Sequence, residues 1–279
     1  MPVSEQGERP ADARARGGGA GTGSSTPSAP SAPSAPRTAR ERARAEITRE
    51  ILEAGRRHLA TEGAAALSLR AIARDLGMVS SAVYRYVASR DDLLTKLIID
   101  AYDSLGATAE AREAAVERDD LAGRWAAICH SMRDWAQANP NEYALIYGSP
   151  VPGYVAPEDT IGPASRVSNL LVQLLVDAAA RGWPGSPAGG DDLSAACRDA
   201  LAPVRAAIPP PVSDVAVQTG LMTWAALFGT VSLELFGQFH NVIGESTAER
   251  EAYFAECVRR WAAQLGFSRP DEPGTGGSP

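Results

Sequence analysis

Apolar residues recur at helical spacing along most of the chain, and no stretch sustains the two-residue alternation of a strand. From about Thr38, Ile47, Ile51, Ala54 and Leu59 return with charges between them, which predicts a helix closed by Gly63. A second, short helix is predicted over residues 68–76, with Ser68 at its N-cap and Gly77 as its stop. A third covers residues 80–87. A fourth starts at Ser89, whose hydroxyl would cap a first turn holding Asp91 and Asp92, and runs through Leu93, Leu94, Leu97 and Ile98 toward residue 117. Carboxylates suit that positive helix end.

Further helices are predicted over about residues 120–138, 141–147, 164–181, 191–208, 213–239 and 247–265. Pro140 stops the first of these, Pro203 interrupts the fourth, and Pro209-Pro210-Pro211 precedes the last two. Residues 148–163 and 183–190 are rich in Gly and Pro and read as loops; the former would gate a pocket or act as a fixed connection. Residues 1–36 end in a Ser-Ala-Pro repeat and have little to bury, so they read as disordered. Glu5, Glu8 and Asp12 offset Arg9, Arg14 and Arg16, which suits a solvated tail better than a basic arm on DNA. The expected division is a tail over 1–37, a helix-turn-helix domain over 38–98, a larger helical domain over 99–268, and a second tail over 269–279. The fold class is all-α.

The two short helices carry the clearest chemistry. Leu69, Ile72, Ala73 and Leu76 give the first an apolar face; Met78, Val83 and Val87 do the same for the second. Packed on the preceding long helix they would form a three-helix core. The outward face of the second then carries Ser80, Ser81, Tyr84, Arg85 and Tyr86, on an element narrow enough for a major groove. Hydroxyls can bond phosphate oxygens, and Arg85 can reach a guanine edge. Arg70 and Arg90 flank this face and would grip the backbone.

Charge supports that division. The whole chain carries a formal −7, which argues against nucleic acid. Residues 37–96, however, hold 12 basic and 8 acidic side chains, while residues 97–279 hold 12 and 23. Only the early segment suits a phosphate surface. Cys129, Cys197 and Cys257 are scattered and have no metal spacing, which fits a reducing cytoplasm. Stretches such as residues 170–180 are too short and too polar for a membrane span, and no signal peptide is evident. His58, His130 and His240 belong to no nucleophile, zinc or phosphate-loop motif, so neither an enzyme nor a metal or cofactor is expected.

The run Leu67-Ser-Leu-Arg-Ala-Ile-Ala-Arg-Asp-Leu-Gly-Met, then Ser-Ala-Val-Tyr-Arg-Tyr-Val and Ser-Arg-Asp-Asp-Leu-Leu, resembles the DNA-binding domain of the tetracycline-repressor (TetR/AcrR) family across about residues 45–98. The resemblance implies Ser68 and Arg70 beside the DNA backbone, Ser80, Ser81 and Ala82 near bases, Tyr84 and Tyr86 on phosphate or base edges, and Arg90 on a phosphate. Val79 stands where a Ser is common and Tyr86 where a His is common, which leaves the operator sequence unread.

The resemblance also implies a C-terminal domain with a ligand cavity and a dimer interface. Trp125, Ile128, Cys129, Met132 and Trp135 form a stripe at helical spacing, which serves as core or as an apolar lining. Tyr143, Tyr147, Trp224 and Phe228 would add to a lining. Tyr143-Ala-Leu-Ile-Tyr-Gly and Thr223-Trp-Ala-Ala-Leu-Phe-Gly resemble a subgroup with a Trp-His-Gly signature, with Phe228 in place of its His. Residues 221–239 are apolar around most of the helix, with Glu234 the one charge, and Gly220, Gly229 and Gly237 would admit a close neighbour. That helix and the next would pair with their symmetry mates in a homodimer, or be buried within one chain. The implied function is a transcription regulator binding a double-stranded operator and released by an unidentified small effector. A regulator or activator without an effector is the alternative.

Overall fold

Ten α-helices follow one another among the described residues, which in this computed structural model are 38–182 and 193–267. They are α1 (Ala39–Glu62), α2 (Leu69–Asp75), α3 (Ser80–Val83), α4 (Arg90–Ala114), α5 (Leu121–Ala138), α6 (Pro140–Tyr147), α7 (Ile161–Ala180), α8 (Ala195–Ala207), α9 (Asp214–Leu235) and α10 (Thr247–Gln264). No strand occurs among the described residues. Side-chain caps fix five of the ten helix starts. Ser89 Oγ accepts the Asp92 N–H at 3.0 Å, Asp120 accepts that of Gly123 at 2.8 Å, and Ser246 and Glu249 cap each other's backbone before α10.

Four helices depart from the sequence expectation. α3 is a single α-turn, continued by tighter turns through Tyr86 until the Val87 N–H returns to the Val83 carbonyl at 3.0 Å. Val83 and Val87 are anchored in the core beneath, and β-branched and aromatic residues support helix weakly over so short a run. α7 starts at Ile161, three residues early, after a 3-10 turn at Glu158–Thr160. α8 keeps Pro203 inside without a break. α9 stops at Leu235 because Gly237, at φ +74°, closes it: the Gln238 N–H reaches the Leu233 carbonyl at 2.8 Å. The expected tails and the loop at 183–190 lie outside the described residues.

Two hydrophobic clusters hold the chain together. Ile51, Ala54, Leu69, Ile72, Ala73, Val83 and Val87 form the first, with Leu93, Leu94 and Leu97 from the start of α4. Ala101, Leu105 and Ala109 carry α4 on into the second, built from α5, α7, α9 and α10. α4 is therefore common to both. The loop after α6 joins the same seam: Val151 and Tyr154 pack on the first cluster, and Tyr154 Oη lies 2.9 Å from Thr95 Oγ1.

α9 is long and apolar enough to cross a membrane by length and composition, against the expectation that no segment is. Here it packs in the bundle against α5, α7, α8 and α10. Glu234 near its end receives the Arg133 guanidinium in a two-pronged bond, 2.7 Å at each oxygen, with both side chains largely buried.

Candidate nucleic-acid interface and effector lining

The reading unit is built by one sharp turn. Gly77, at φ +64°, takes a conformation that a side chain would strain. The Met78 N–H then bonds the Ala73 carbonyl at 2.8 Å and the Gly77 N–H the Arg74 carbonyl at 3.1 Å, which ends α2 and aims the chain into α3. Ile72, Ala73 and Val83 are buried beneath the crossing. Above it, Ser81, Tyr84 and Arg85 are exposed, as is Arg70 on α2. Ser68, Ser80 and Ala82 are half-buried at the same edge. Ser68 occupies the N-cap of α2 as expected, but its hydroxyl makes no capping bond.

Two expected contacts are more occupied than the sequence implied. Tyr86 is half-buried against the first cluster, and the Arg44 guanidinium sits 5.3 Å from its ring centroid. Arg90 donates to the Ala64 and Ala65 carbonyls at 2.9 and 3.3 Å, tying the 3-10 turn after α1 to the start of α4. His58, buried in α1, bonds Asp75 at the end of α2 at 2.5 Å and ties α1 to α2. Local spacing could not show these roles of Arg44 and His58, whose partners lie 41 and 17 residues away.

A family model of the bacterial regulatory proteins of the tetR family matches residues 51–97, and one of the tetracyclin repressor-like C-terminal domain matches residues 125–261. The HTH-type transcriptional regulator Rv1816 of Mycobacterium tuberculosis is 46% identical over 208 residues, spanning 72% of this chain and 85% of that protein. The chain belongs to the TetR family. It is a DNA-binding transcription regulator of a non-enzymatic family. The regulator Mb1846 of Mycobacterium bovis matches to the same extent. The crystal structure of SCO4313 superposes with a TM-score of 0.66 at 34% identity, covering 81% of this chain and 100% of that one.

In this TetR-family chain the expected effector lining falls into two groups. Trp125, Cys129 and Met132 are fully buried core, with Trp125 Nε1 donating to the Val258 carbonyl at 3.1 Å. Burial pushes the Cys129 thiol well up, so it stays protonated and inert. Tyr143, Tyr147, Trp224 and Phe228 instead form one aromatic cluster between α6 and α9. Tyr147 meets Phe228 edge-on at 4.1 Å and Tyr102 of α4 at 5.8 Å. Tyr143 is fully buried and shares a 2.7 Å hydrogen bond with Ser232. Tyr147 has no hydrogen-bond partner among the described residues, and burial, reinforced by Tyr102 and Tyr143, pushes its phenol far up. None of the seven residues lines either of two nearby clefts. One cleft, of about 520 Å³, lies between the turn at Ala64–Ala66, α6 and residues 148–152. Another, of about 870 Å³, lies between the α4–α5 connection and α10, with His130 on its wall. Helical spacing marks core and lining residues alike, so it could not separate these groups.

Proposed function

We propose that the protein is a homodimeric repressor released from its operator by a small effector. The observation that carries this is α4, whose first turns pack beneath the reading face while Tyr102 farther along meets the aromatic cluster. A rearrangement of that cluster can therefore alter how the reading face is held. In this reading Ser81, Tyr84 and Arg85 enter the major groove, Ser80 and Ala82 flank them, and Ser68, Arg70, Tyr86 and Arg90 meet the backbone. Tyr86 and Arg90 would leave their present contacts to do so.

The effector would enter at the half-buried side of the cluster, against Tyr147, Trp224 and Phe228. A neutral phenol in apolar surroundings donates a hydrogen bond, so the fitting ligand is a mainly apolar molecule with one acceptor. Phe228, where the resembled subgroup carries His, adds an apolar wall. Acting on DNA, the protein would work in the cytoplasm.

Dimerisation is supported by a stripe along α9. Leu221, Met222, Ala225, Gly229, Leu233 and Phe236 are exposed, lie within about 120° of one helix face by the 100° step of an α-helix, and include no charge. Such a face fits a second copy of itself.

The test uses a duplex selected from random sequence by the protein. Tyr84→Ala/Arg85→Ala should lose that duplex while keeping the wild-type oligomeric state; retained affinity would refute the groove assignment. A metabolite and drug screen by thermal shift should then yield a ligand that weakens DNA binding, and Tyr147→Phe should weaken that ligand. If the ligands that raise Tm leave DNA affinity untouched, the protein is a regulator without effector control.

A further inference from the structure

Free positive charge is unevenly distributed over the arginines. Most guanidinium groups among the described residues pair with a carboxylate. Arg40, Arg42, Arg44, Arg70, Arg74 and Arg85 do not, and elsewhere among the described residues only Arg198 and Arg250 share that state. Unpaired cations thus gather around the reading unit, where an anionic partner would complete them.

The first three lie on α1 ahead of the recognised motif. Residues 38–46 are all exposed, and the first fully buried residue of α1 is Ile51. At 1.5 Å per residue the exposed part of the helix extends about 12 Å past the core. Arg44 holds this overhang in place: its Nη2 donates to the Arg85 carbonyl at 3.0 Å, and its guanidinium packs over Tyr86. The overhang therefore runs beside the reading segment. Arg40 lies one turn ahead of Arg44 on the same face, about 40° round the helix. Arg42 lies about 200° round from Arg40, on the far side.

We propose that Arg40 grips a DNA phosphate flanking the groove that the reading segment enters, with Arg44 as the positioning residue. α1 then supplies a backbone clamp outside the helix-turn-helix. The inference rests on the groove assignment above. The partner is backbone and not a base, because the overhang lies beside the groove-entering segment and outside it. Such contacts fix register and carry no sequence information.

The experiment measures affinity of the full chain for the selected duplex and for an unrelated duplex across a salt series. Each lost phosphate contact flattens the slope of log K against log salt by about 0.9 per reading head. Arg40→Ala should flatten it by that amount and weaken both duplexes by a similar factor. Arg42→Ala, equal in charge and likewise exposed, should leave the slope at the wild-type value. An unchanged slope for Arg40→Ala overturns the clamp. So does an equal flattening by Arg42→Ala, which would mark a diffuse field and not a contact. Tyr84→Ala/Arg85→Ala keeps the two hypotheses apart: if it retains preference for the selected duplex, the groove assignment fails; if it loses that preference while Arg40→Ala behaves as wild type, the clamp alone fails. Far-UV circular dichroism should be the same for all variants, since each substituted side chain is exposed.

Discussion

Arg124 and His130 sit on one helix, less than two turns apart, in different polar surroundings. Arg124 is buried with its Nε 2.5 Å from Glu113 and its Nη1 2.8 Å from Asp177. Burial raises the Asp177 carboxyl, but the bonds from Arg124 and Gln173 and the charge of Arg118 outweigh that and hold it below 3.8. A lowered carboxylate contributes stability above its unfolded pKa, and that contribution is lost as pH falls through the folded value. His130 is half-buried, its ring edge-on to Phe254 at 5.3 Å. Desolvation lowers its pKa from 6.5, aided by Arg133 and Arg112 and opposed by Asp134 and Glu251. The unfolded chain takes up this proton first, so stability should already fall as pH drops below about 6.5. Denaturation midpoints measured against pH should therefore decline in two stages. His130→Gln should remove the upper stage and keep the lower; an unaltered curve for that variant would contradict the assignment.

At the scale of elements, α4 depends on one small residue. A Cβ on Gly106 would stand 2.7–2.9 Å from the side chain of Arg166 on α7, including its Cβ, which cannot swing away. Arg166 is itself fixed across the helices, bonding Glu110 through two nitrogens at 2.8 and 2.6 Å and Asp103 at 2.8 Å. Gly106→Ala would gain up to about 1 kcal/mol of helix propensity, against about 1–3 kcal/mol for overpacking. The expected net is a loss of about 1 kcal/mol, growing for Gly106→Val, and urea denaturation would read it. A stabilised Gly106→Val would show that α4 and α7 are free to separate. The sequence could not reveal this crossing, because Gly106 and Arg166 lie 60 residues apart. What it did reveal is local. Ser89 caps its helix with its own hydroxyl whereas Ser68 does not, Gly77 makes the turn, and the apolar spacing of residues 69–87 places the right side chains inside. The position of Gly237 also held the true end of α9, beyond which apolar residues masked the stop.

At the scale of the whole molecule, the three expected helix-approach glycines have three different settings. A Cβ on Gly220 would meet Leu175 of α7 at 3.0 Å, so that glycine serves packing within one chain. Gly237 closes the helix. Gly229 is exposed in the middle of the apolar stripe, and a Cβ there would meet nothing within 4 Å. One folded chain can therefore accept Gly229→Arg without strain, while a neighbour packed on that stripe cannot. This separates folding from assembly in a way that truncating Leu221 or Phe236 would not. Sedimentation should find wild type as a dimer and Gly229→Arg as a helical monomer. Two linked reading heads bind two half-sites more tightly than either alone, by roughly two to four orders of magnitude when the geometry matches. The monomer should therefore lose that factor on a two-half-site duplex and almost nothing on a single half-site. A Gly229→Arg protein that stays dimeric would move the interface off α9, and a wild type that binds both duplexes equally would remove the need for a pair of heads.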